Sequence, residues 1–159
     1  MSAWLFDLGN TRLKCAPLVA GVVGTVHALP HADFVDGLDS VLPERFDVAF
    51  VASVASDGLR VALLDALVRR CSRIELARTQ AHFDGLRIAY ATPARLGVDR
   101  FLAMLGARRH VPGPVLVCGI GTALTLDLVD GDGHHLGGRI APSPQLMREA
   151  LHARAPQLP

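Results

Sequence analysis

A chain of 159 residues with a hydrophobic content of 50% holds enough apolar material for one sizeable core or two small lobes. Its formal net charge is +1, and its arginines are scattered among acidic residues with few aromatics between them, which argues against the basic stripe or stacking platform of a nucleic-acid binder. Asp7 follows only a short apolar stretch, with neither a basic lead nor a long uncharged run, so no membrane partner is expected and the expected location is cytoplasmic.

Residues Ala3 to Leu8 and Arg12 to Val19 read as strands joined at Gly9-Asn10, a pair suited to a tight hairpin turn with positive φ. Val22 to Leu29 reads as a third strand and Phe46 to Ser53 as a buried one. Gly58 to Cys71 carries apolar residues at helical spacing, and Arg73 to Ala77 is a further short strand, so the alternation predicts a sheet with helices on its faces. Leu86 to Tyr90 reads as strand, Pro93 opens a turn, and Val98 to Arg109 reads as a helix with Phe101, Leu102 and Leu105 on one face. The stretch Pro112-Gly113-Pro114 then marks a lobe boundary, giving lobes 1–111 and 112–159. Beyond it, Val115 to Cys118, Thr122 to Val129 and His134 to Ile140 read as strands, the last two separated by a turn at Asp130-Gly131-Asp132-Gly133. The final helix, Gln145 to Arg154, puts Leu146, Met147, Ala150 and Leu151 on one face that requires cover.

Cys15, Cys71 and Cys118 form neither a C-x-x-C pair nor a cluster with histidine and read as buried thiols. His134 and His135 are neighbours in a strand, so they point to opposite faces and read as solvent-facing hairpin positions. Arg69, Arg70 and Arg73 are placed at a helix end, where cations are favoured. The P-loop pattern is absent, and Leu124 stands where a dinucleotide fingerprint beginning at Gly119-Ile120-Gly121 needs its third glycine. No G-x-S-x-G elbow is present, which leaves Ser53 and Ser56 as packing or capping residues.

One pattern repeats. Aligning Leu5 to Thr11 with Val117 to Ala123 places glycine on glycine, with a hydroxyl-bearing residue close behind each. A glycine at such a turn lets backbone N–H groups approach phosphate oxygens, and two turns of this kind could hold a polyphosphate. Lys14, the only lysine of the chain, stands just beyond the first.

Three segments then agree in order and spacing. Asp7-Leu8-Gly9-Asn10-Thr11 with Lys14, Tyr90-Ala91-Thr92-Pro93 leading into Leu96-Gly97-Val98-Asp99-Arg100, and Gly121-Thr122-Ala123 followed by Leu136-Gly137-Gly138 resemble the type III pantothenate kinases. The resemblance runs on through Leu146-Met147 and Ala150-Leu151 to Gln157-Leu158-Pro159, beyond which a typical member continues and completes its second lobe. It implies a ribonuclease H-like α/β fold of the actin- and hexokinase-like class, with the second lobe incomplete. It also implies a homodimeric kinase that uses ATP and magnesium to phosphorylate pantothenate at the first step of coenzyme A synthesis.

The same resemblance implies roles for single residues. Asp7, Leu8, Gly9, Asn10, Thr11, Arg12, Leu13 and Lys14 would form the first ATP-binding hairpin, with Asp7 orienting hydrated magnesium and Lys14 countering phosphate charge. Thr122 would be a second ATP contact. Tyr90, Gly97, Val98, Asp99 and Arg100 would hold pantothenate, with Asp99 as the base that orients the acceptor hydroxyl. Arg100 either forks to the pantothenate carboxylate or pairs with a neighbouring acid. Two departures stand out. Gly119 occupies the place of an aspartate that helps the family hold a monovalent cation, potassium or ammonium, and Ala141-Pro142 replaces a Pro-Gly turn, although Ser143-Pro144 remains a good helix start. Gly119 and the incomplete second lobe leave open the alternative of a nucleotide- or pantothenate-binding regulatory protein without turnover.

Overall fold

The computed structural model describes residues 1–157, so Leu158 and Pro159 of the last matching segment lie outside the described residues. The chain divides into two compact units, Met1–Arg78 and Thr79–Pro159.

The first unit is built on a six-stranded sheet. Strands β1 (Ala3–Leu8), β2 (Arg12–Val19), β3 (Val22–Val23), β4 (His27–Pro30), β5 (Phe46–Ser53) and β6 (Cys71–Leu76) take the order β3-β2-β1-β5-β6, with β4 also paired to β2. β1 lies antiparallel to β2 and parallel to β5, and β5 lies parallel to β6. Helices α1 (Phe34–Val41) and α2 (Asp57–Val68) bury Phe34 and Leu38, and Leu63, Ala66 and Leu67, respectively. These side chains share one core with Trp4, Phe6, Leu8, Leu13 and Val51. Burying a leucine or phenylalanine of this kind contributes about 1.5–3 kcal/mol. Most of that burial surrounds β1, and Leu8 and Leu13, both 0% exposed, pin the two ends of the β1–β2 turn.

β1, β2 and β5 span the residues expected of them. The single strand expected over Val22 to Leu29 is two, β3 and β4, because Gly24 N–H turns back to the Pro17 carbonyl at 2.8 Å and breaks the ladder. α2 ends at Val68, and Cys71 begins β6 instead of closing the helix, so Arg73 lies within a strand, paired with Glu75. Arg70 does sit just past the helix, where it donates to the Ala66 carbonyl at 3.0 Å and pairs with Asp39.

The second unit carries a three-stranded antiparallel sheet, β9 (Val115–Ile120), β10 (Ala123–Val129) and β11 (His135–Pro142), in the order β11-β10-β9. A small hairpin, β7 (His82–Phe83) and β8 (Leu86–Arg87), precedes it, and a 3-10 turn, Pro93–Arg95, leads into α3 (Val98–His110). Leu86, Ile88, Leu96, Phe101, Met104 and Val129 form its core. α3 and the sheet that follows Pro112 to Pro114 thus belong to one compact unit. The expected helical face is displaced: Leu102 is exposed, and the buried positions are Val98, Arg100, Phe101 and Met104.

α4 (Pro144–Arg154) starts where Ser143 and Pro144 predict it. Ser143 Oγ accepts from Leu146 N–H at 3.2 Å, with proline at the first helical position. Ser143→Ala is expected to cost about 1 kcal/mol of stability, read as a lower urea midpoint, because the Leu146 amide loses its partner. No residue of α4 is buried, and Leu146, Met147 and Leu151, on the face expected to require cover, stay exposed.

Candidate active site

The β1–β2 register sets Asp7 opposite Lys14, which puts the two side chains on one face of the sheet. Lys14 Nζ lies 3.8 Å from Asp7 Oδ2, with both side chains about half exposed. A pair this wet is worth about 0–1 kcal/mol. The turn departs from expectation in one respect: neither Gly9 nor Asn10 has positive φ. Gly9 N–H donates to the Arg12 carbonyl at 3.1 Å, which centres the turn on Asn10-Thr11, and a β-branched threonine resists the left-handed region.

The second unit repeats the device. Gly121 N–H donates to the Ala123 carbonyl at 3.0 Å between β9 and β10, and the Thr122 carbonyl accepts from Ser143 N–H at 3.4 Å, beside the start of α4. Gly119 pairs with Thr125 in the ladder, and a Cβ on Gly119 would lie 2.5 Å from Thr125 Oγ1. The position offers no carboxylate, and adding one would require Thr125 to turn away.

Gly97 precedes α3 with extended backbone, Val98 is buried, and Asp99 is exposed in the first helical turn, where a carboxylate meets the positive end of the helix. Arg100 points the other way and is 7% exposed. Its Nε and one terminal nitrogen donate to the two oxygens of Asp127 at 2.8 and 2.7 Å, a bidentate pair. Of the two readings of Arg100, the neighbouring acid is the one seen. Hydrogen bonds to Asp127 raise the guanidinium pKa further above its ordinary value, with smaller contributions in the same direction from Asp127 charge and Tyr90. Tyr90, half-buried against the second core, stacks on His135 with ring centroids 5.7 Å apart.

Asp127 and His135 carry no motif, and the strand pattern gives the first no role and sets the second in solvent. His135 is instead 2% exposed, with Nε2 3.0 Å from Asp127 Oδ1. The available signals are an acid inside the largely apolar strand Ala123 to Val129 and an arginine in need of a partner. The Leu136-Gly137-Gly138 motif gains a physical reason here. Gly137 has φ +125°, and a Cβ on Gly138 would run into both Arg100 and Asp127.

His134 faces the other way and bonds Asp130, whose carboxylate also accepts the backbone N–H groups of Asp132 and His134. These bonds close the Asp130–Gly133 turn and lower the Asp130 pKa, the His134 backbone bond first. A cavity of about 350 Å³ beside the β7–β8 hairpin is lined by His82, Asp84, Arg87, Asp132 and His134 among others, and holds none of the predicted site residues. The cysteines differ from the uniform burial expected: Cys15 is buried and its thiol is pushed up to about 11, Cys71 is half-buried, and Cys118 is exposed. Cys118 is the exception because it lies on the open face of β9, alternating with the half-buried Val117 and Gly119.

A family model described as type III pantothenate kinase matches residues 4–159. This chain is 54% identical over 162 residues to the type III pantothenate kinase of Stenotrophomonas maltophilia (strain K279a). It is 56% identical over 161 residues to that of Xanthomonas campestris pv. campestris (strain B100). Each match takes in 100% of this chain and 65% of the relative, so the chain spans just under two thirds of the length of these curated relatives. Among solved structures, the ethanolamine utilization protein EutJ from Carboxydothermus hydrogenoformans is similar with a TM-score of 0.50 at 10% identity, over 100% of this chain and 58% of that one. Likeness at that identity speaks to fold alone, and the fold is the mixed α/β fold of the actin- and hexokinase-like class, of which the chain covers part.

Proposed function

The chain belongs to the type III pantothenate kinase family, and from that premise we propose that it binds ATP and pantothenate and transfers the γ-phosphoryl group to the pantothenate hydroxyl, opening coenzyme A synthesis. The observation that carries the reading is the start of α3. An exposed Asp99 stands beside an Arg100 locked in place by Asp127, which is how a catalytic carboxylate is held on a rigid element.

In this reading Asp99 accepts a hydrogen bond from the acceptor hydroxyl, orients its oxygen in line with the γ-phosphorus, and takes its proton late in the transfer. Tyr90, Gly97 and Val98 flank the acceptor, Gly97 allowing close backbone approach. The fork of Arg100 is already committed to Asp127, so a pantothenate carboxylate would meet the donors that remain on the guanidinium. Backbone groups of the β1–β2 turn and Lys14 face the phosphates, and Thr122 is a second nucleotide contact.

The carboxylate of Asp7, a hard oxygen donor at a strand end, suits a hydrated magnesium ion, which when bound would neutralise charge developing on the phosphates. A monovalent cation does not fit equally well, since Gly119 brings no side-chain oxygen. Turnover is therefore expected to be the same in potassium as in sodium at equal ionic strength. A rate several-fold higher in potassium would show that other oxygens replace the missing carboxylate.

The proposal also takes the family's lobes to divide at Pro112 to Pro114, the location to be the cytoplasm where ATP is available, and the exposed apolar side of α4 to be covered in a homodimer. Among the described residues, no helix is long and apolar enough to cross a membrane. The test of the reading is ADP release from ATP and magnesium by this chain, with and without pantothenate. Release that rises with pantothenate supports it, and release indifferent to pantothenate contradicts it.

A further inference from the structure

Asp127 and His135 belong to none of the segments that carry the family resemblance, yet both are sealed inside the second unit, with side chains 2% and 0% exposed. Asp127 lies mid-strand in β10 between Val117 and Gly138. Its carboxylate takes both donors of Arg100 on one side and His135 Nε2 on the other. A carboxylate only accepts, so the His135 proton stands on Nε2. Nδ1 is buried without a hydrogen-bond partner among the described residues, and a proton there would be buried with no acceptor. Tyr90 stacks on the ring, and Arg100 lies across Asp127 from it.

A buried ion pair adds little net stability over apolar packing of the same volume, and its attested use is to fix one arrangement among several. Here the arrangement fixed is the first turn of α3. We propose that Asp127 and His135 are positioning residues for the substrate segment: His135 donates from Nε2 to steady the Asp127 carboxylate, Asp127 grips Arg100, and Asp99 is thereby presented in a single orientation. Tyr90 stacks on the face of the same ring. The inference rests on the assignment of Asp99 as base made above.

The test compares this chain with His135→Leu, which removes the donor, and His135→Gln, whose amide N–H reaches the place of Nε2. Nitrogen-15 spectra read the His135 ring and the backbone amides of Val98 to Phe101. The wild-type ring is expected to carry its proton on Nε2 with Nδ1 bare. The four amides are expected to shift or broaden in His135→Leu and to return in His135→Gln. In turnover, kcat for pantothenate phosphorylation falls roughly ten- to hundredfold in His135→Leu, as for a misplaced base, while the ATP KM holds, and His135→Gln recovers most of it.

A proton on Nδ1, amides indifferent to His135→Leu, or a glutamine variant no better than leucine overturns the inference. If wild type turns over and His135→Leu turns over equally, the inference fails alone. If wild type shows no pantothenate-dependent turnover while the spectra behave as stated, the kinase reading fails and the positioning of the turn stands. Should His135→Leu fail to fold, His135→Asn, whose shorter amide cannot reach Asp127, takes its place.

Discussion

Asp99→Asn is expected to lower pantothenate-dependent ADP release by roughly a hundred- to ten-thousandfold, the loss that follows removal of a positioned general base. Asparagine keeps the shape of the side chain and can still bond the acceptor hydroxyl, but it cannot take the proton. The fold should survive, because Asp99 is exposed and its part in the first helical turn is worth only about 0.3–1 kcal/mol. Steady-state kinetics with a melting curve on the same sample reads both. A variant as active as wild type, equally folded, would remove Asp99 from the chemistry.

Asp127→Ala is expected to be the most damaging single change to stability. It leaves the Arg100 guanidinium buried without its two acceptors, takes the hydrogen bond from His135, and costs about 3–5 kcal/mol. Against a typical total of about 5–15 kcal/mol, that loss brings the chain close to unfolding. A urea titration reads it as a large fall in midpoint. The double change Asp127→Leu with Arg100→Met removes both charges and should regain much of the stability while activity stays lost. If the single and double variants are equally unstable, the cost lies in packing and not in an uncompensated charge.

Legibility from sequence followed how local each determinant is. β1, β2 and β5 could be read because their burial follows from their own apolar pattern. α1 has no clear signal in the sequence because Gly37 and three acidic positions in Asp33 to Asp39 suggest a loop. Tertiary packing overrides them: Phe34 and Leu38 reach the core, and Gly37 is small enough to pass the Leu29 side chain. Leu86 to Tyr90 shows the opposite case, a true alternation that outlasts its ladder. Leu86 and Ile88 are buried as a strand would bury them, but Arg87 N–H turns to the Gly133 carbonyl and Ile88 N–H to that of Ala81.

The candidate site residues divide in the same way. Asp7, Lys14 and Asp99 announce themselves by type and by neighbours in sequence. The partner of Arg100 lies 27 positions away and that of His135 eight, so both pairings depend on strand register. A histidine doublet gives no sign of which ring turns inward. The shift in register between Leu128 and Val129 sends His135 to the inner face.

The measurement that bears most directly on the central claim is phosphopantothenate itself. This chain, incubated with ATP, magnesium and pantothenate, should yield pantothenate heavier by one phosphoryl group, detected by mass spectrometry in amounts equal to the ADP formed, and Asp99→Asn should yield none on the same timescale. Pantothenate recovered unchanged, from a chain whose melting temperature ATP still raises, would contradict the account.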